Sequence, residues 1–244
     1  MKRTADHAVL RRKVALVTGG NRGIGLAIAR ALMAEGCNVL ISARDESTLK
    51  RAAREIGRNR GQVIPLVCDV RDPQAVRKMF AAFEDRFRRL DILVNNAGIT
   101  HANLSVANLP VESWKEVIAT NLTGMFLVTR AALPLMNRGG AIVNNLSIAA
   151  TRVFPGSSAY SASKHGALGF TNTLREELRE RGIRVIALFP GATDTGIWNA
   201  FWPDAPRTKM MSTTTVAQAV VCALTLPQES MLEELRILPR AGAL

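Results

Sequence analysis

The sequence predicts an α/β protein whose core is a doubly wound, mostly parallel sheet of about seven strands with helices on both faces. Short aliphatic runs recur along the 244 residues, and they lack the alternation of apolar and polar residues that marks a strand with one wet face. Segments with apolar residues three and four positions apart lie between these runs, as in amphipathic helices. No repeat or linker interrupts this pattern, so we expect one domain over residues 1–244.

Each element is predicted from its own segment. The aliphatic runs predict strands at 14–17, 39–41, 63–67, 92–94, 142–143, 185–188 and 234–238. The helical spacing predicts helices at 24–35, 48–57, 75–87, 114–136, 162–181 and 216–225. Residues 193–214 contain prolines and no clear period, and we interpret them as a long loop that forms a substrate lid.

The composition points to a cytoplasmic protein with no membrane contact. Apolar residues make up 48% and charged residues 21% of the chain. No apolar stretch of roughly 18 residues is evident, and the basic start lacks the apolar run of a signal peptide. The three cysteines, Cys37, Cys68 and Cys222, lie far apart and are interpreted as buried reduced thiols. We expect no metal site.

The net charge of +12 raises the alternative of a nucleic-acid-binding protein. The excess of Lys and Arg lies in the first half of the chain, where the arginines alternate with apolar residues at helical spacing and no zinc-finger or RNA-binding pattern accompanies them. We therefore expect no nucleic-acid partner and interpret the charges as solvated helix faces around an anionic cofactor. Residues 1–12 are interpreted as a basic, mobile N-terminal extension.

A glycine-rich segment, TGGNRGIG at 18–25, follows the first predicted strand and opens the first helix. Glycines in this context let the backbone and the helix N-terminus approach a pyrophosphate. A site for NAD usually carries an acidic residue at the end of the second strand, whereas this chain has Ser42, Ala43 and Arg44 there. A guanidinium group suits a 2′-phosphate, and Arg22 offers a second one. The sequence thus favours NADP(H) over NAD(H).

The only tyrosine of the chain, Tyr160, precedes Lys164 by four residues, so both side chains lie on one face of a helix. A nearby ammonium group favours the phenolate and lowers the pKa of a tyrosine from its usual value of about 10. The pair is therefore a candidate acid and base.

These motifs together resemble the short-chain dehydrogenase/reductase family, which has a Rossmann fold, over the chain from about Lys13 onward. The glycine segment resembles the family's TGxxxGxG, and NNAG at 95–98 follows the fourth predicted strand as it does in the family. Asn121 in NLTG, Ser147 thirteen residues before Tyr160, the YxxxK motif, and Pro190-Gly191 followed by Thr195 also match.

The resemblance implies a role for each residue. Tyr160 would exchange a proton with the substrate oxygen, Ser147 would hydrogen-bond the same oxygen, and Lys164 would hold the nicotinamide ribose. Asn121 would help to anchor a water molecule beside Lys164, Asp69 would contact the adenine, and Asn95 would support the cofactor site. Together, these interpretations assign cofactor binding to Gly19, Asn21, Arg22, Gly23, Ile24, Gly25, Arg44, Asp69, Val70, Asn95, Ala97, Gly98, Tyr160, Lys164, Pro190, Gly191, Thr193 and Thr195.

Two segments depart from the common pattern of the family. Asn144 and Asn145 precede Leu146 and Ser147 where many members have two successive serines, so we expect the packing of that strand to differ. Near its end, at 234–240, the chain reads ELRILPR, a pattern that resembles some 3-hydroxy-acid and serine dehydrogenases and puts the tetramer contact made by the usual Gly-rich tail in doubt.

The predicted function is the interconversion of a ketone or 3-oxo compound and a secondary alcohol with NADP(H). Two alternatives remain: a dehydrogenase of a small 3-hydroxy acid such as serine, and a non-catalytic NADP(H)-binding regulator. Trp198, Phe201, Trp202, Met210 and Met211 in the lid suggest an apolar pocket. Arg152, Arg207 and Lys209 are candidates to pair with a substrate carboxylate. The resemblance also implies a homodimer or homotetramer, with the helices at 114–136 and 162–181 between subunits.

Overall fold

A seven-stranded parallel sheet forms the centre of the computed structural model, which describes residues 9–57 and 61–242. The strands are β1 (Val14–Thr18), β2 (Asn38–Ala43), β3 (Val63–Val67), β4 (Ile92–Asn95), β5 (Ala141–Asn145), β6 (Arg184–Pro190) and β7 (Glu234–Ile237). Their order is β3-β2-β1-β4-β5-β6-β7, and every neighbouring pair runs parallel. This confirms the predicted fold class, with the winding reversed between β1 and β4.

Helices cover both faces of the sheet. They are α1 (Gly23–Ala34), α2 (Glu46–Ile56), α3 (Pro73–Glu84), α4 (Val111–Ile118), α5 (Gly124–Ala132), α6 (Ser158–Leu178), α7 (Trp198–Phe201) and α8 (Thr213–Leu224). Local signals in the sequence begin several of them. Asp45, for example, accepts a hydrogen bond of 2.7 Å from the Thr48 N–H, and Asp72 caps α3 with Pro73 at its first position.

Alternate residues of the same strand belong to opposite layers of the core. In β1, Ala15 and Val17 pack in the layer that includes α1 and α8, whereas Val14 and Leu16 pack in the layer that includes α3 and α5. Both layers are apolar, so the strand has no polar alternation. The aliphatic runs of the sequence therefore reflect burial on both faces of the sheet.

The segment predicted as one helix at 114–136 is continuous but not uniform. It consists of α4, a π-helical turn (Ala119–Thr123), α5 and a final 3-10 turn (Leu133–Leu135). By length and composition the run Val111–Leu135, with a mean hydropathy of 1.2, passes the test for a membrane span, contrary to the expectation that no stretch would. One such helix is weak support for a membrane, because core helices of soluble proteins pass the same test; Val128 and Ala132 lie in the core here.

Part of the predicted N-terminal extension is packed. Residues 1–8 lie outside the described part of the chain, but Leu10 is 4% exposed and belongs to the apolar core. Its carbonyl oxygen accepts a hydrogen bond of 3.2 Å from the Cys37 thiol, and the Arg12 N–H donates to the Gly36 carbonyl. The prediction of a mobile extension over 1–12 is therefore wrong from Leu10 onward. The Leu10 side chain is buried in the core, and this segment is hydrogen-bonded to the turn after α1.

One of the three cysteines also differs from its prediction. Cys37 and Cys68 are buried, and burial raises the pKa of each thiol to about 12, so both stay protonated. Cys222 is exposed on α8, contrary to the expectation of a buried thiol.

Candidate active site

A cavity of about 880 Å³ opens at the carboxyl ends of the central strands. Ligands of doubly wound sheets bind at this edge, and the volume is typical of small-molecule sites. The predicted site residues that line it are Gly19, Asn21, Arg22, Gly23, Ile24, Arg44, Asp69, Val70, Ala97, Gly98, Ser147, Tyr160, Lys164, Pro190, Gly191, Thr193 and Thr195. Three predicted residues, Gly25, Asn95 and Asn121, lie outside the lining.

The loop between β1 and α1 forms one wall of the cavity. Gly19 and Gly23 have φ angles of +63° and +56°, which other residues rarely adopt. Gly25 lies behind this wall, where a Cβ atom would collide with the Asn96 side-chain amide and the Gly19 carbonyl oxygen. Contrary to expectation, Gly25 does not reach the cavity; its lack of a side chain lets α1 pack closely against the loop.

Asn95 points into the protein and Asn96 takes the position beside the cavity. The Asn95 amide donates to Thr129 Oγ1 at 2.9 Å and to Asn144 Oδ1 at 2.8 Å. The Asn96 amide donates at 2.9 Å to the carbonyl oxygen of Thr18 at the start of the glycine loop. The two residues have opposite orientations because they follow each other at the end of a strand. Sequence reasoning chose Asn95 and missed Asn96, although both belong to the NNAG motif.

Asn144 and Asn145, the last two residues of β5, extend this polar network. Asn144 lies in the buried layer with Asn95 and donates to Thr171 Oγ1 at 2.9 Å. Asn145 donates to Asn96 Oδ1 at 2.8 Å and lines the cavity. The two asparagines therefore link the end of β5 to Asn95 and Asn96 at the end of β4 by side-chain hydrogen bonds on both faces of the sheet.

Three arginines line the cavity at the end of β2 and in the glycine loop. They are Arg22, Arg44 and Arg51, of which Arg51 was missed by sequence reasoning although it lies one turn into α2 from Thr48. No hydrogen bond or ion pair holds these guanidinium groups within residues 9–57 and 61–242. Asp45 lies beside them and is ionised, because hydrogen bonds from Thr48 and Ser47, and the charge of Arg51, lower the pKa of its carboxyl group. One carboxylate offsets only part of three positive charges.

Asp69 also lines this end of the cavity, and its carboxylate is engaged. Arg71 Nε lies 3.0 Å from both carboxylate oxygens, and Arg71 Nη2 lies 2.7 Å from Oδ2. These hydrogen bonds lower the pKa of Asp69. The fork of the guanidinium fixes the plane of the carboxylate, so a partner at this end of the cavity meets a preoriented acceptor.

Ser147 and Tyr160 meet at the middle of the cavity. Ser147 follows β5, and its Oγ accepts a hydrogen bond of 3.1 Å from the Ala149 N–H, which fixes the side chain. A hydrogen bond between the two side chains lowers the pKa of Tyr160, but burial has the larger effect and raises it above its usual value. The expected lowering of the Tyr160 pKa is therefore wrong for this structure, because desolvation of the phenolate outweighs the hydrogen bond with Ser147.

Lys164 lies beneath Tyr160 and is 4% exposed. Its Nζ donates a hydrogen bond of 2.8 Å to the Asn145 carbonyl oxygen and lies 5.6 Å from the centre of the Tyr160 ring. Burial lowers the pKa of Lys164 to about 8. The group therefore keeps its proton at neutral pH while being poised to lose it in mildly alkaline solution.

Asn121 lies in the π-helical turn between α4 and α5 and does not contact the cavity. Its Oδ1 accepts from the Ile99 N–H at 2.8 Å, and its Nδ2 donates to the Ile99 carbonyl at 2.9 Å and to Ser163 Oγ at 3.0 Å. Because Ser163 precedes Lys164 in α6, the side chain ties the loop after β4 to the helix that carries the lysine. π-Helical turns of this kind often mark functional sites.

Several residues that line the cavity carry a buried polar atom that has no partner within the described residues. Ser42 Oγ, Thr120 Oγ1 and Asn145 Oδ1 belong to lining residues and are hidden from solvent. Unpaired buried polar atoms are costly unless a ligand or water satisfies them. The glycine wall and the three arginines fit a polar, anionic ligand of dinucleotide type.

The lid contributes aromatic residues to the other end of the cavity. Trp198, Phe201 and Trp202 line it, whereas Met210 and Met211 do not. The lid is more ordered than the loop predicted from the sequence, since it contains α7, a 3-10 turn (Arg207–Lys209) and a bridge between Thr193 and Met211.

Comparison with known proteins extends this description. A family model described as short chain dehydrogenase matches residues 13–206. A 3-oxoacyl-(acyl-carrier-protein) reductase from Synechocystis sp. is 43% identical over 190 residues, which are 76% of this chain and 76% of that protein. A D-beta-hydroxybutyrate dehydrogenase from Rhizobium meliloti is 37% identical over 203 residues, 81% of this chain and 78% of the relative. The solved structure of an alcohol dehydrogenase from the archaeon Thermococcus sibiricus, complexed with 5-hydroxy-NADP, has a TM-score of 0.86 at 31% identity and covers 93% of this chain and 96% of that one.

Proposed function

Because the chain belongs to the short-chain dehydrogenase/reductase family, we propose that it reduces a ketone or 3-oxo compound to a secondary alcohol with NADPH. It is an oxidoreductase that acts on CH–OH and C=O groups, and the proposal adds the cofactor, the substrate type and the residue roles. The observation that carries it is the convergence of Ser147, Tyr160 and Lys164 on one cavity whose other end is lined by three unpaired arginines.

The chemistry follows from the side chains at the middle of the cavity. A bound nicotinamide cofactor would supply the hydride. The raised pKa of Tyr160 keeps its hydroxyl protonated at neutral pH, so it can donate that proton to the oxygen of the reduced carbonyl. Ser147 hydrogen-bonds the same oxygen and stabilises its developing negative charge, and its own position is fixed by the Ala149 N–H.

Lys164 and Asn121 support this centre. Lys164 has one hydrogen bond to the Asn145 carbonyl, and its remaining N–H groups are available to the cofactor ribose and to Tyr160. Asn121 is a positioning residue, because its side-chain amide is engaged by Ile99 and by Ser163, the residue before Lys164. The intact arrangement favours catalysis over a regulator that only binds NADP(H), which would have no use for the tyrosine and serine.

The preference for NADPH rests on Arg22 and Arg44, with Arg51 as a third cation. Each charge-assisted hydrogen bond to a 2′-phosphate contributes about 1.5–3 kcal/mol, or roughly a factor of 10 to 150. The acidic residue that would bind a ribose 2′-hydroxyl in an NAD site is absent from the end of β2, since Asp45 caps α2. We expect Arg44→Ala to lower kcat/KM for NADPH at least tenfold and leave that for NADH unchanged. A wild-type preference for NADH would refute the assignment.

Tyr160→Phe tests the reaction itself. The variant keeps the ring and loses the proton donor, so we expect ketone reduction to fall by a factor of about 100 to 10,000 with NADPH binding unchanged. Turnover is followed at the nicotinamide absorbance, and NADPH binding by fluorescence titration. Near-normal turnover of the variant would contradict the proposal, and NADPH binding without turnover in the wild type would favour the regulator.

Self-association and a cytoplasmic location belong to the same proposal. Trp114 on α4 and Phe126 on α5 are 41% and 44% exposed, and the Phe126 ring makes an edge contact with Phe170 on α6. An apolar surface of this kind on adjacent helices is suited to pairing two subunits. Light scattering coupled to gel filtration distinguishes a monomer from a dimer or tetramer.

A further inference from the structure

We infer that the substrate is an uncharged ketone carrying an aromatic or similarly bulky apolar group, and that the site discriminates against a carboxylate separated from the carbonyl by one carbon, as in a 3-oxo acid. This inference rests on the proposed function and names its substrate class. It concerns the ketone end of the cavity, the wall formed by lining residues of the segment 147–157 and of the lid segment 197–202.

Apart from Ser147, Tyr160 and Ser157, whose Oγ donates a hydrogen bond of 2.6 Å to the Phe154 carbonyl oxygen, the side chains of the ketone end are mainly apolar. Its lining includes Ile148, Phe154, Pro155, Ile197, Trp198 and Phe201. Such a surface binds apolar groups by removing them from water, at about 25 cal/mol for each Å². A substrate whose carbonyl oxygen is hydrogen-bonded by the Ser147 and Tyr160 hydroxyls would place its remaining groups in contact with this apolar wall.

Trp198 organises the aromatic part of the wall. Its ring centre lies 6.4 Å from those of Phe201 and Trp202, with interplanar angles of 61° and 65°. The Trp198 Nε1–H donates a hydrogen bond of 2.9 Å to the Thr193 carbonyl oxygen, which holds the indole in place. Since that hydrogen bond satisfies its single polar atom, the ring faces are available for apolar or edge-to-face aromatic contact.

The charges of the cavity lie elsewhere. Among lining residues in the described ranges, the charged ones are Arg22, Arg44, Asp45, Arg51, Asp69 and Lys164. None of them belongs to the ketone end, because Lys164 lies beneath Tyr160 and bonds to Asn145, and the others belong to the glycine loop, to α2 and to the ends of β2 and β3.

The three cations predicted as carboxylate partners are not available there. Arg207 donates to Asp194 Oδ1 at 3.0 Å and to Asn199 Oδ1 at 2.8 Å, so its charge is used inside the lid. Arg152 and Lys209 are exposed and do not line the cavity. A carboxylate buried against this wall would lose its hydration without gaining a partner. A small 3-hydroxy acid such as serine is therefore a poor match.

Two matched pairs of substrates test the inference with the full-length protein. Methyl 3-oxobutanoate and 3-oxobutanoate differ by a charge, and we expect kcat/KM to be at least a hundredfold higher for the ester. Ethyl 3-oxo-3-phenylpropanoate and ethyl 3-oxobutanoate differ by a phenyl group in place of a methyl group, and we expect the phenyl compound to be favoured at least tenfold. Trp202→Ala is expected to reduce that second ratio, and Trp202→Phe to restore it.

A binding measurement separates recognition from turnover. The chain has three tryptophans, so a Trp114→Phe variant fluoresces only from Trp198 and Trp202 in the lid. We expect the phenyl ketone to change this emission at concentrations where 3-oxobutanoate does not. Equal or better use of 3-oxobutanoate would overturn the inference while leaving the reductase assignment intact. No turnover of any of the four compounds, with NADPH binding retained, would overturn the proposed function and this inference with it.

Discussion

The Nζ atom of Lys164 lies 5.6 Å from the centre of the Tyr160 ring; the lysine is 4% exposed and the tyrosine is half-buried. Burial affects the two groups in opposite directions, since it raises the pKa of the phenol and lowers that of the ammonium to about 8. At neutral pH both therefore carry their protons, which is the state that a proton donor for carbonyl reduction requires.

This protonation state predicts different pH profiles for the two directions. Reduction needs protonated Tyr160, and because its pKa is raised the phenol stays protonated through neutral pH. We therefore expect kcat for reduction to be constant through neutral pH. Beyond pH 8 it should decline, because Lys164 loses its charge. Oxidation needs the phenolate, so its kcat should rise with pH. Profiles measured in both directions check this, with Tyr160→Phe as a control that lacks the rise. Oxidation that is fastest in acid would contradict it.

Replacing Lys164 by methionine should stabilise the fold at neutral pH while removing activity. A pKa lowered from 10.5 to about 8 costs about 3 kcal/mol of folding free energy below pH 8, because the unfolded chain binds the proton more tightly. Leaving the Asn145 carbonyl without its donor offsets about 1–2 kcal/mol of that gain.

The sign of the pH dependence makes this test specific. Between pH 8 and 10.5 the wild-type protein releases its Lys164 proton more readily than the unfolded chain, so its stability gains with rising pH. Urea unfolding should show Lys164→Met more stable by about 1–2 kcal/mol at pH 7, and the difference should vanish or reverse near pH 10. If Lys164→Met were less stable than the wild type at pH 7, the interactions of the buried ammonium group would outweigh the free-energy cost of its desolvation, contrary to this prediction.

Arg207 is expected to position the lid. Its guanidinium donates to the carboxylate of Asp194, to the Thr195 carbonyl at 2.6 Å and to Asn199, and so connects three points of the lid. Arg207→Met should raise KM for the ketone about tenfold with a smaller change in kcat, since each such hydrogen bond contributes about 1 kcal/mol or more.

A matched pair of variants controls for general effects of removing charge. Arg207→Lys should recover only part of the loss, because one ammonium cannot replace the planar fork. Arg152→Met removes an exposed cation outside the cavity and should leave KM unchanged. Equal effects of Arg207→Met and Arg152→Met would argue against a positioning role.

A methyl group at Gly25 should be far more harmful than one at Gly169. Its Cβ would collide with the Gly19 carbonyl and the Asn96 amide, which belong to the wall of the cavity. We expect Gly25→Ala to weaken NADPH binding and to lower the stability by about 1–3 kcal/mol, as overpacking does. In α6, Gly169 has no atom within 4 Å of such a methyl group, so Gly169→Ala should raise stability by about 0.5–1 kcal/mol. Calorimetry and NADPH titration of both variants compare the two sites.

The sequence by itself determined the alternation of strands and helices, and all but three of the predicted site residues line the cavity. Periodicity and turn residues act over a few positions, so β1, the glycine loop and the pair of Tyr160 and Lys164 could be predicted locally. The helix predicted at 114–136 was continuous as expected, but its π-helical turn depends on Asn121 reaching Ile99 across the loop after β4. Local spacing carries no signal for such a contact.

Only the tertiary structure decided how these residues are used. Asn95 bonds to Asn144, 49 positions away, so it faces the interior and leaves the cavity to Asn96. Arg207 faces Asp194 and Asn199, not a substrate, and Arg51 reaches the cavity because α2 packs beside the end of β2. The direction of the Tyr160 pKa was also a tertiary property. Desolvation and long-range hydrogen bonds depend on which distant segments meet, and the order of residues along one helix or strand does not contain that information.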